Sequence, residues 1–268
     1  MQEGRIGLLA GAGELPIEFL KSATRKGKPV VTFAIEGITE ERVEKFSERV
    51  VWIKPFKLGK FLKELKKNNI KELAVLGKVE HREAFKLRNL DLKAFKLIAE
   101  LRDLKPESLI KGVFKEIEKS GVKVISPEEY LKHLLIPPGT LFGPQPDRET
   151  IEDMKFGMEV AKKIAEMDIG QTVVVKRGTV VAVEGTEGTD RCIERGAELS
   201  SGGFVVCKAA RPNQDMRIDV PTVGEKTVEL VKKLGGKGIA IEGNRTFVVT
   251  PEKIGELCRK QKLPLLSF

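Results

Sequence analysis

This chain of 268 residues contains one tryptophan, one tyrosine, two histidines and three cysteines. Each scarcity excludes something. Two histidines make an imidazole-built zinc centre a poor expectation, because such sites draw on several His or Cys ligands. Cys192, Cys207 and Cys258 are odd in number, widely spaced and without a CxxC pair. Reduced, mostly buried thiols in a cytoplasmic protein are therefore expected rather than a disulfide framework. One Trp and one Tyr offer little for stacking nucleic-acid bases, although the 13 phenylalanines partly substitute. No apolar run approaches the roughly 18 residues of a membrane span, and no signal peptide is expected. Asn and Gln are sparse while Lys and Glu abound, a bias of hot-environment proteins that bears on stability rather than function.

What is present describes a globular chain: 41% hydrophobic and 32% charged residues, in a length that fits one large domain or two medium ones. The net charge of +9 comes from 48 Lys and Arg against 39 Asp and Glu. Nucleic acid, anionic lipid surfaces and phosphate-bearing small molecules are all compatible partners. The basic residues are dispersed, however, and many fall on helical faces such as Lys60, Lys63, Lys66 and Lys67, where simple solvation suffices.

Apolar strand-like runs alternate with amphipathic segments through the first half: RIGLLAG, PVVTFAI, VVWI, ELAVLGKV and VKVIS, with helices expected between them. That alternation predicts an α/β fold with an N-terminal Rossmann-like, mainly parallel sheet. Ile136 to Asp147 holds four prolines and two glycines in twelve residues and reads as a hinge. The expected organisation is a Rossmann-like domain at 1–135, a linker at 136–147 and a C-terminal catalytic, mixed α/β domain at 148–268. In the latter, QTVVVKRGTVVAVEG predicts a hairpin turning at Arg177-Gly178, and a final helix is expected from Pro251 to Lys262.

Three stretches carry candidate chemistry. GAGELP, at a strand-to-helix junction, supplies Gly11, Ala12 and Gly13 as candidate contacts to a nucleotide, sugar or phosphate. Pro16 stands where the third glycine of GxGxxG would be, and a tight turn without ligand explains the run equally well. LGKVEHR closes a strand at the sheet edge where open α/β folds gather ligands, placing Lys78, His81 and Arg82 within reach of phosphate, although a plain loop or surface position is the stronger expectation for His81. The densest polar clusters follow apolar runs between Gly170 and Gly224: EGTEGTD, then KAARPNQDMRIDVPTVG. Asp215 and Asp219 share one side of an extended segment. Glu187, Asp190, Asp215 and Asp219 form a candidate set around Mg²⁺ or Mn²⁺, with Lys208 and Arg211 for phosphate oxygens. For Asp190 a plain helix N-cap is the competing explanation.

IGLLAGAGELP, LGKV, DIGQTVVVKRGTVVAVEGTEGTD and KAARPNQDMRIDVPTVG, with TVELVKKLGGKGIAIEG after it, resemble the LpxI family along essentially the whole chain. The resemblance implies a two-domain, Mg²⁺-using enzyme of lipid A synthesis, in the cytoplasm and peripheral at the inner membrane. Its reaction would split UDP-2,3-diacylglucosamine into UMP and 2,3-diacylglucosamine 1-phosphate (lipid X). The family's polar positions fall on Gln171, Glu184, Glu187, Thr189, Asp190, Lys208, Gln214, Asp215, Arg217, Asp219, Thr222 and Gly224. Of these, Asp215, Asp219, Asp190 and Lys208 are the catalytic candidates, and Gln171, Thr189, Gln214, Arg217 and Thr222 join Arg211 as substrate contacts. The chain departs from the family where a Gly-Asp-Asp run is usual, reading Leu104-Lys105-Pro106-Glu107 instead. The expected partners are the diacyl sugar nucleotide, lipid X and the membrane surface, not nucleic acid, with homodimerisation left open. Two other classes stand beside this one: an NAD(P) oxidoreductase suggested by GAGELP, and a basic nucleic-acid-binding protein suggested by the charge.

Overall fold

The computed structural model describes residues 5–79, 90–101, 106–212, 215–218 and 221–268. The chain divides into two compact units, Met1–Leu131 with Met216–Ile218, and Lys132–Asp215 with Asp219–Phe268. The fold is α/β throughout, with a parallel sheet in the first unit and a mixed sheet in the second.

In the first unit, β1 (Arg5–Ala10), β2 (Val30–Ile35), β3 (Arg49–Ile53), β4 (Ile70–Leu76) and β5 (Lys123–Val124) form a parallel sheet ordered β3-β2-β1-β4-β5. This is the order of a doubly wound sheet, with the switch point between β1 and β4. Central parallel strands are covered on both faces and so read as continuous apolar runs; every residue of β2 is buried. Burying a side chain such as Phe33 contributes about 1.5–3 kcal/mol. On one face, Val31, Phe33 and Leu73 pack against α2 (Leu58–Lys67), α3 (Leu92–Glu100) and α4 (Pro106–Lys119), through Phe61, Leu65, Ala94, Phe114 and Ile117. Asp91 caps α3, accepting from the Ala94 amide at 2.9 Å. α1 (Glu14–Arg25) follows β1 and reaches α5 (Glu128–Leu131), where the tilted rings of Phe19 and Tyr130 pack with centroids 4.6 Å apart. Pro16 sits in the first turn of α1, where its missing N–H costs nothing.

In the second unit, β6 (Leu141–Phe142), β7 (Thr172–Lys176), β8 (Thr179–Val183), β9 (Val205–Lys208), β11 (Gly238–Ile241) and β13 (Leu265–Ser267) form a sheet ordered β6-β13-β11-β9-β7-β8. β9, β11 and β13 run parallel, while β6, β7 and β8 add antiparallel pairings. β10 (Thr222–Val223) pairs with β12 (Phe247–Val248) apart from that sheet. α6 (Arg148–Glu166) covers one face, and α7 (Thr189–Ser200), α8 (Glu225–Lys233) and α9 (Pro251–Gln261) the other. Two helical glycines set how close these helices lie. A Cβ on Gly157 of α6 would fall 2.3 Å from Cys207 Sγ, and one on Gly196 of α7 would fall 2.7 Å from Val174. The β7–β8 turn has Arg177 and Gly178 both at positive φ, the geometry of a type I′ hairpin. Asp153 of α6 accepts both turn amides, at 2.8 and 2.6 Å.

The stretch at 136–147 is more than the expected linker. It carries β6, and Gly139 N donates to Ser267 O at 2.8 Å. The division of the two units falls earlier than residue 135, between Leu131 and Lys132. Between β2 and β3, where a helix is expected, the chain makes only a 3-10 turn, Glu41–Lys45. All three cysteines are free and buried, and burial pushes the thiols up, Cys258 to about 11, so thiolates are disfavoured.

Candidate functional site

Two strand edges carry the predicted residues. In the first unit, β1 and β4 end side by side, and the loops after them are laced together by backbone. Gly11 N donates to Leu76 O at 2.7 Å, Ala12 N to Lys78 O at 2.9 Å, and Lys78 N to Ala12 O at 2.9 Å. A Cβ on Gly11 would meet Lys78 O at 2.7 Å, and one on Gly77, which has φ +95°, would meet Gly11 C at 2.7 Å. Close backbone approach therefore accounts for these glycines, and the Gly11 and Ala12 amides are engaged before any phosphate arrives. Gly13 caps α1 with open space where a Cβ would stand. Glu14, in the first turn, accepts from Arg42 at 2.6 Å. Thr39 ties β1 to the end of β2, donating to Ala10 O and accepting from Ile35 N. The Lys78 side chain is exposed, while His81 and Arg82 lie outside the described residues.

In the second unit side chains converge instead. Thr172 opposes Lys208 across the antiparallel β7–β9 ladder, and β8 delivers Glu184 just before α7 begins at Thr189. Lys208 Nζ donates to Thr189 Oγ1 at 3.0 Å, and Thr189 Oγ1 donates to Glu184 Oε1 at 3.0 Å. The other carboxylate oxygen accepts from Gln171 N at 3.3 Å, and Thr172 Oγ1 lies 3.4 Å from Thr189 Oγ1. Gln171 and Thr172 are buried, and Glu184, Thr189 and Lys208 are half-buried. Gly170 makes the crossing possible, since a Cβ there would lie 2.0 Å from Glu184 O. The result is a cation, a hydroxyl and a carboxylate in one hydrogen-bonded line beside the sheet edge. Such a line holds an ammonium in place for an anionic ligand and keeps a neighbouring carboxylate ready to accept or relay a proton.

Glu187 does different work. Its Oε1 accepts from Arg195 Nη2 at 2.5 Å and its Oε2 from Gly185 N at 3.0 Å, so it closes the EGTEG turn; Arg195 holds its carboxyl below the usual carboxylate range. Arg195 also reaches Val183 O at 2.8 Å. Asp190 is exposed, and the N-cap of α7 is Gly188 at φ 84°, not Asp190. Asp190 instead adds negative charge in the first turn, where the helix dipole favours it. Among the described residues no three His, Cys, Asp or Glu side chains gather to hold a metal ion. Asp215 is half-buried; Gln214 and Asp219 lie outside the described residues.

The loop after β9 is fixed by residues that spacing did not single out. Glu242, directly after β11, accepts from Ala210 N at 2.9 Å through Oε2, and its own N–H donates to Lys208 O at 3.0 Å. Arg245 Nη2 donates to Arg211 O at 2.5 Å and Pro212 O at 3.0 Å, and Arg211 Nε donates to Asp168 Oδ1 at 2.6 Å. The signal was present in IEGNR, a charged cluster ending the buried run GIAI, the same pattern as EGTEGTD after VVAV. Arg217 belongs with the first unit, its guanidinium 3.6 Å from Glu118 and 5.7 Å from the Phe114 ring centroid. Thr222 opens β10, and Gly224 caps α8.

Comparison with known proteins bears on what these edges are for. A family model described as the LpxI N-terminal domain matches residues 5–134, and one described as the LpxI C-terminal domain matches residues 137–266. A protein of Caulobacter vibrioides named UDP-2,3-diacylglucosamine pyrophosphatase LpxI is 29% identical over 261 residues, covering 93% of this chain and 92% of the relative. Among solved structures, a biotin carboxylase complex from Campylobacter jejuni aligns at 13% identity and a TM-score of 0.30, over 74% of this chain and 42% of that one. An N5-carboxyaminoimidazole ribonucleotide synthetase from Thermotoga maritima aligns at 12% identity and a TM-score of 0.27, over 68% and 42%. Scores that low carry no argument about fold or chemistry. The two family matches, end to end over the strand edges described above, place this chain in the LpxI family.

Proposed function

We propose that this chain hydrolyses the pyrophosphate of UDP-2,3-diacylglucosamine to UMP and 2,3-diacylglucosamine 1-phosphate, a step of lipid A biosynthesis. The likeness to a named UDP-2,3-diacylglucosamine pyrophosphatase along nearly the whole of both chains carries this reading. The Lys208–Thr189–Glu184 line supports it chemically. Water adds to one phosphorus, the anhydride P–O bond breaks with its electrons leaving on the departing phosphate, and the water proton passes to a carboxylate. In this scheme Lys208 neutralises phosphate oxygens and Thr189 fixes its ammonium. Asp215 orients the water, with Asp219 in the same motif and Asp190 in the EGTEGTD motif as the other candidate carboxylates.

Mg²⁺ or Mn²⁺ belongs to the proposal. The candidate donors are carboxylate and hydroxyl oxygens without His or Cys, a set suited to hard cations. Mg²⁺ usually takes only one or two carboxylates plus substrate phosphates, so a three-carboxylate cage among the described residues is not needed. When bound, the ion supplies charge neutralisation at the phosphoryl group. An NAD(P) site at Gly11–Gly13 finds no such support, because two of the amides that would cradle a pyrophosphate are already bonded.

Contact with a membrane surface is also proposed. α3 exposes Leu92 (82%) and Phe95 (59%) among Lys93 and Lys96, and α2 beside it exposes further lysines. Such a face adsorbs to anionic headgroups without insertion. No helix among the described residues is long and apolar enough to cross a membrane. Cosedimentation with anionic vesicles should weaken in Leu92→Ser/Phe95→Ser; unchanged binding rules this face out.

The test of the reaction is incubation with UDP-2,3-diacylglucosamine, scoring UMP with and without EDTA. UMP release that EDTA abolishes and Mg²⁺ or Mn²⁺ restores is expected. Full turnover in excess EDTA removes the metal from the account, and no UMP under any condition removes the reaction.

A further inference from the structure

The turn after β11 does more than connect β11 to β12. Ile241 stands opposite Lys208 in the parallel β9–β11 register, so the residue after Ile241 lies where the chain leaves β9. That residue is Glu242, and it grips the neighbouring loop at two successive points: its N–H on Lys208 O, its carboxylate on Ala210 N. Three residues later, the single Arg245 Nη2 spans the carbonyls of Arg211 and Pro212. The two braces are coupled by charge, since Glu242 Oε1 lies 3.9 Å from Arg245 Nε and 3.9 Å from Lys162 Nζ. Glu242 is largely shielded, its side chain 14% exposed. Ala210 N, Arg211 O and Pro212 O thus rest on two side chains of one distant turn, while the backbone of that turn holds Lys208 O and Gln171 O accepts Ala209 N.

We propose that Glu242 and Arg245 are positioning residues for the proposed hydrolysis, fixing the stretch from Lys208 to Pro212 that carries Lys208 and Arg211. This rests on the functional reading above. A stretch that must present Lys208 and Arg211 to phosphate oxygens tolerates little displacement, because an error of about 1 Å at reacting groups costs on the order of 10²-fold in rate. A guanidinium suits the task, since the two N–H donors of Nη2 are held in one rigid plane on the two carbonyls, whereas a lysine presents rotatable donors on a flexible stem.

The experiment compares Arg245→Ala, Arg245→Lys, Glu242→Ala and Glu242→Gln, measuring UMP release, thermal melting and amide hydrogen exchange at Ala210 and Arg211. Arg245→Ala and Glu242→Ala should lose kcat by about 10- to 100-fold with KM changed far less, the size of loss expected from misplacement rather than lost binding. Glu242→Gln, which keeps an acceptor for Ala210 N, should recover most of the rate, and Arg245→Lys little of it. Ala210 exchange should accelerate in both alanine variants. Alanine variants that keep kcat within about twofold of wild type overturn the proposal, as does Ala210 exchange unchanged from wild type. Should either alanine variant fail to fold, Arg245→Lys decides by the same two readouts, and kcat within about twofold of wild type or unchanged Ala210 exchange overturns the proposal. If the wild type releases no UMP, the functional reading fails by itself, and the exchange measurement still decides whether the brace exists.

Discussion

The two glycine-bearing strand edges look alike on paper and are built for different ends. At the β1–β4 edge, glycines allow two backbones to approach until their own N–H and C=O groups satisfy each other across Ala12 and Lys78. At the β7–β8–β9 edge, Gly170 and Gly188 clear space and set a turn so that side chains meet: Lys208, Thr189 and Glu184. The first arrangement consumes hydrogen-bonding capacity, and the second concentrates it. Glycine at a strand end therefore signals close approach, but what approaches is decided by strand order.

That contrast can be broken at either edge. The largest expected effect is on Lys208→Met, which removes the cation while leaving the buried strand β9 apolar. UMP release should fall by about 10²- to 10⁴-fold, in the range for a group that acts in the transition state, with the melting temperature nearly unchanged. Activity within tenfold of wild type would show that the second edge is not where phosphate charge is met.

Next in size is Gly77→Ala at the first edge, where the added methyl lies 2.7 Å from Gly11 C at a backbone φ of +95°. Overlap and strain together cost about 1–3 kcal/mol, so melting should drop by several degrees. A variant as stable as wild type would mean that the lacing of the two loops is dispensable.

Much of the architecture was legible because periodicity reports burial. The apolar runs of β1, β2 and β4 and the Arg177-Gly178 hairpin stand where the pattern put them. β13 was not legible. Leu265–Ser267 is three residues long, follows Pro264 and has no alternation, yet it is an interior strand whose Pro264 carbonyl accepts Ile239 N at 2.9 Å. At the site, EGTEGTD suggested that Glu187 and Asp190 act together because they are neighbours in the chain. A helix starting at Thr189 instead leaves Asp190 exposed, while Glu187 bonds to Arg195. Thr189 with Lys208, and Arg245 with Arg211, are distant in sequence and brought together by the order β11-β9-β7-β8, which no local pattern encodes.

The smallest expected effect sharpens the distinction between closing a turn and doing chemistry. Arg195 holds the Glu187 carboxyl below its ordinary value of 4.5, so its folded pKa lies under the unfolded one. The stabilisation is present above the unfolded pKa and is lost as pH falls through the folded value. Arg195 is 45% exposed, which limits the pair to about 1 kcal/mol or less. Glu187→Gln should melt slightly earlier at neutral pH, with the gap to wild type closing in acid. A gap that persists at a pH well below 4.5, where both chains are neutral at this position, would contradict the ion pair as its source.

The central claim is that Lys208 and Thr189 work as one unit at the second edge, and a double-mutant cycle on UMP release tests it directly. Thr189→Val removes the hydroxyl that joins Lys208 to Glu184 while keeping the side chain's shape. If the two act together, Thr189→Val/Lys208→Met should be no slower than Lys208→Met alone, leaving a coupling of about 1 kcal/mol or more, the range for residues in one hydrogen-bonded network. Losses that simply multiply, with coupling near zero, would show that Lys208 and Thr189 act independently and not as one unit.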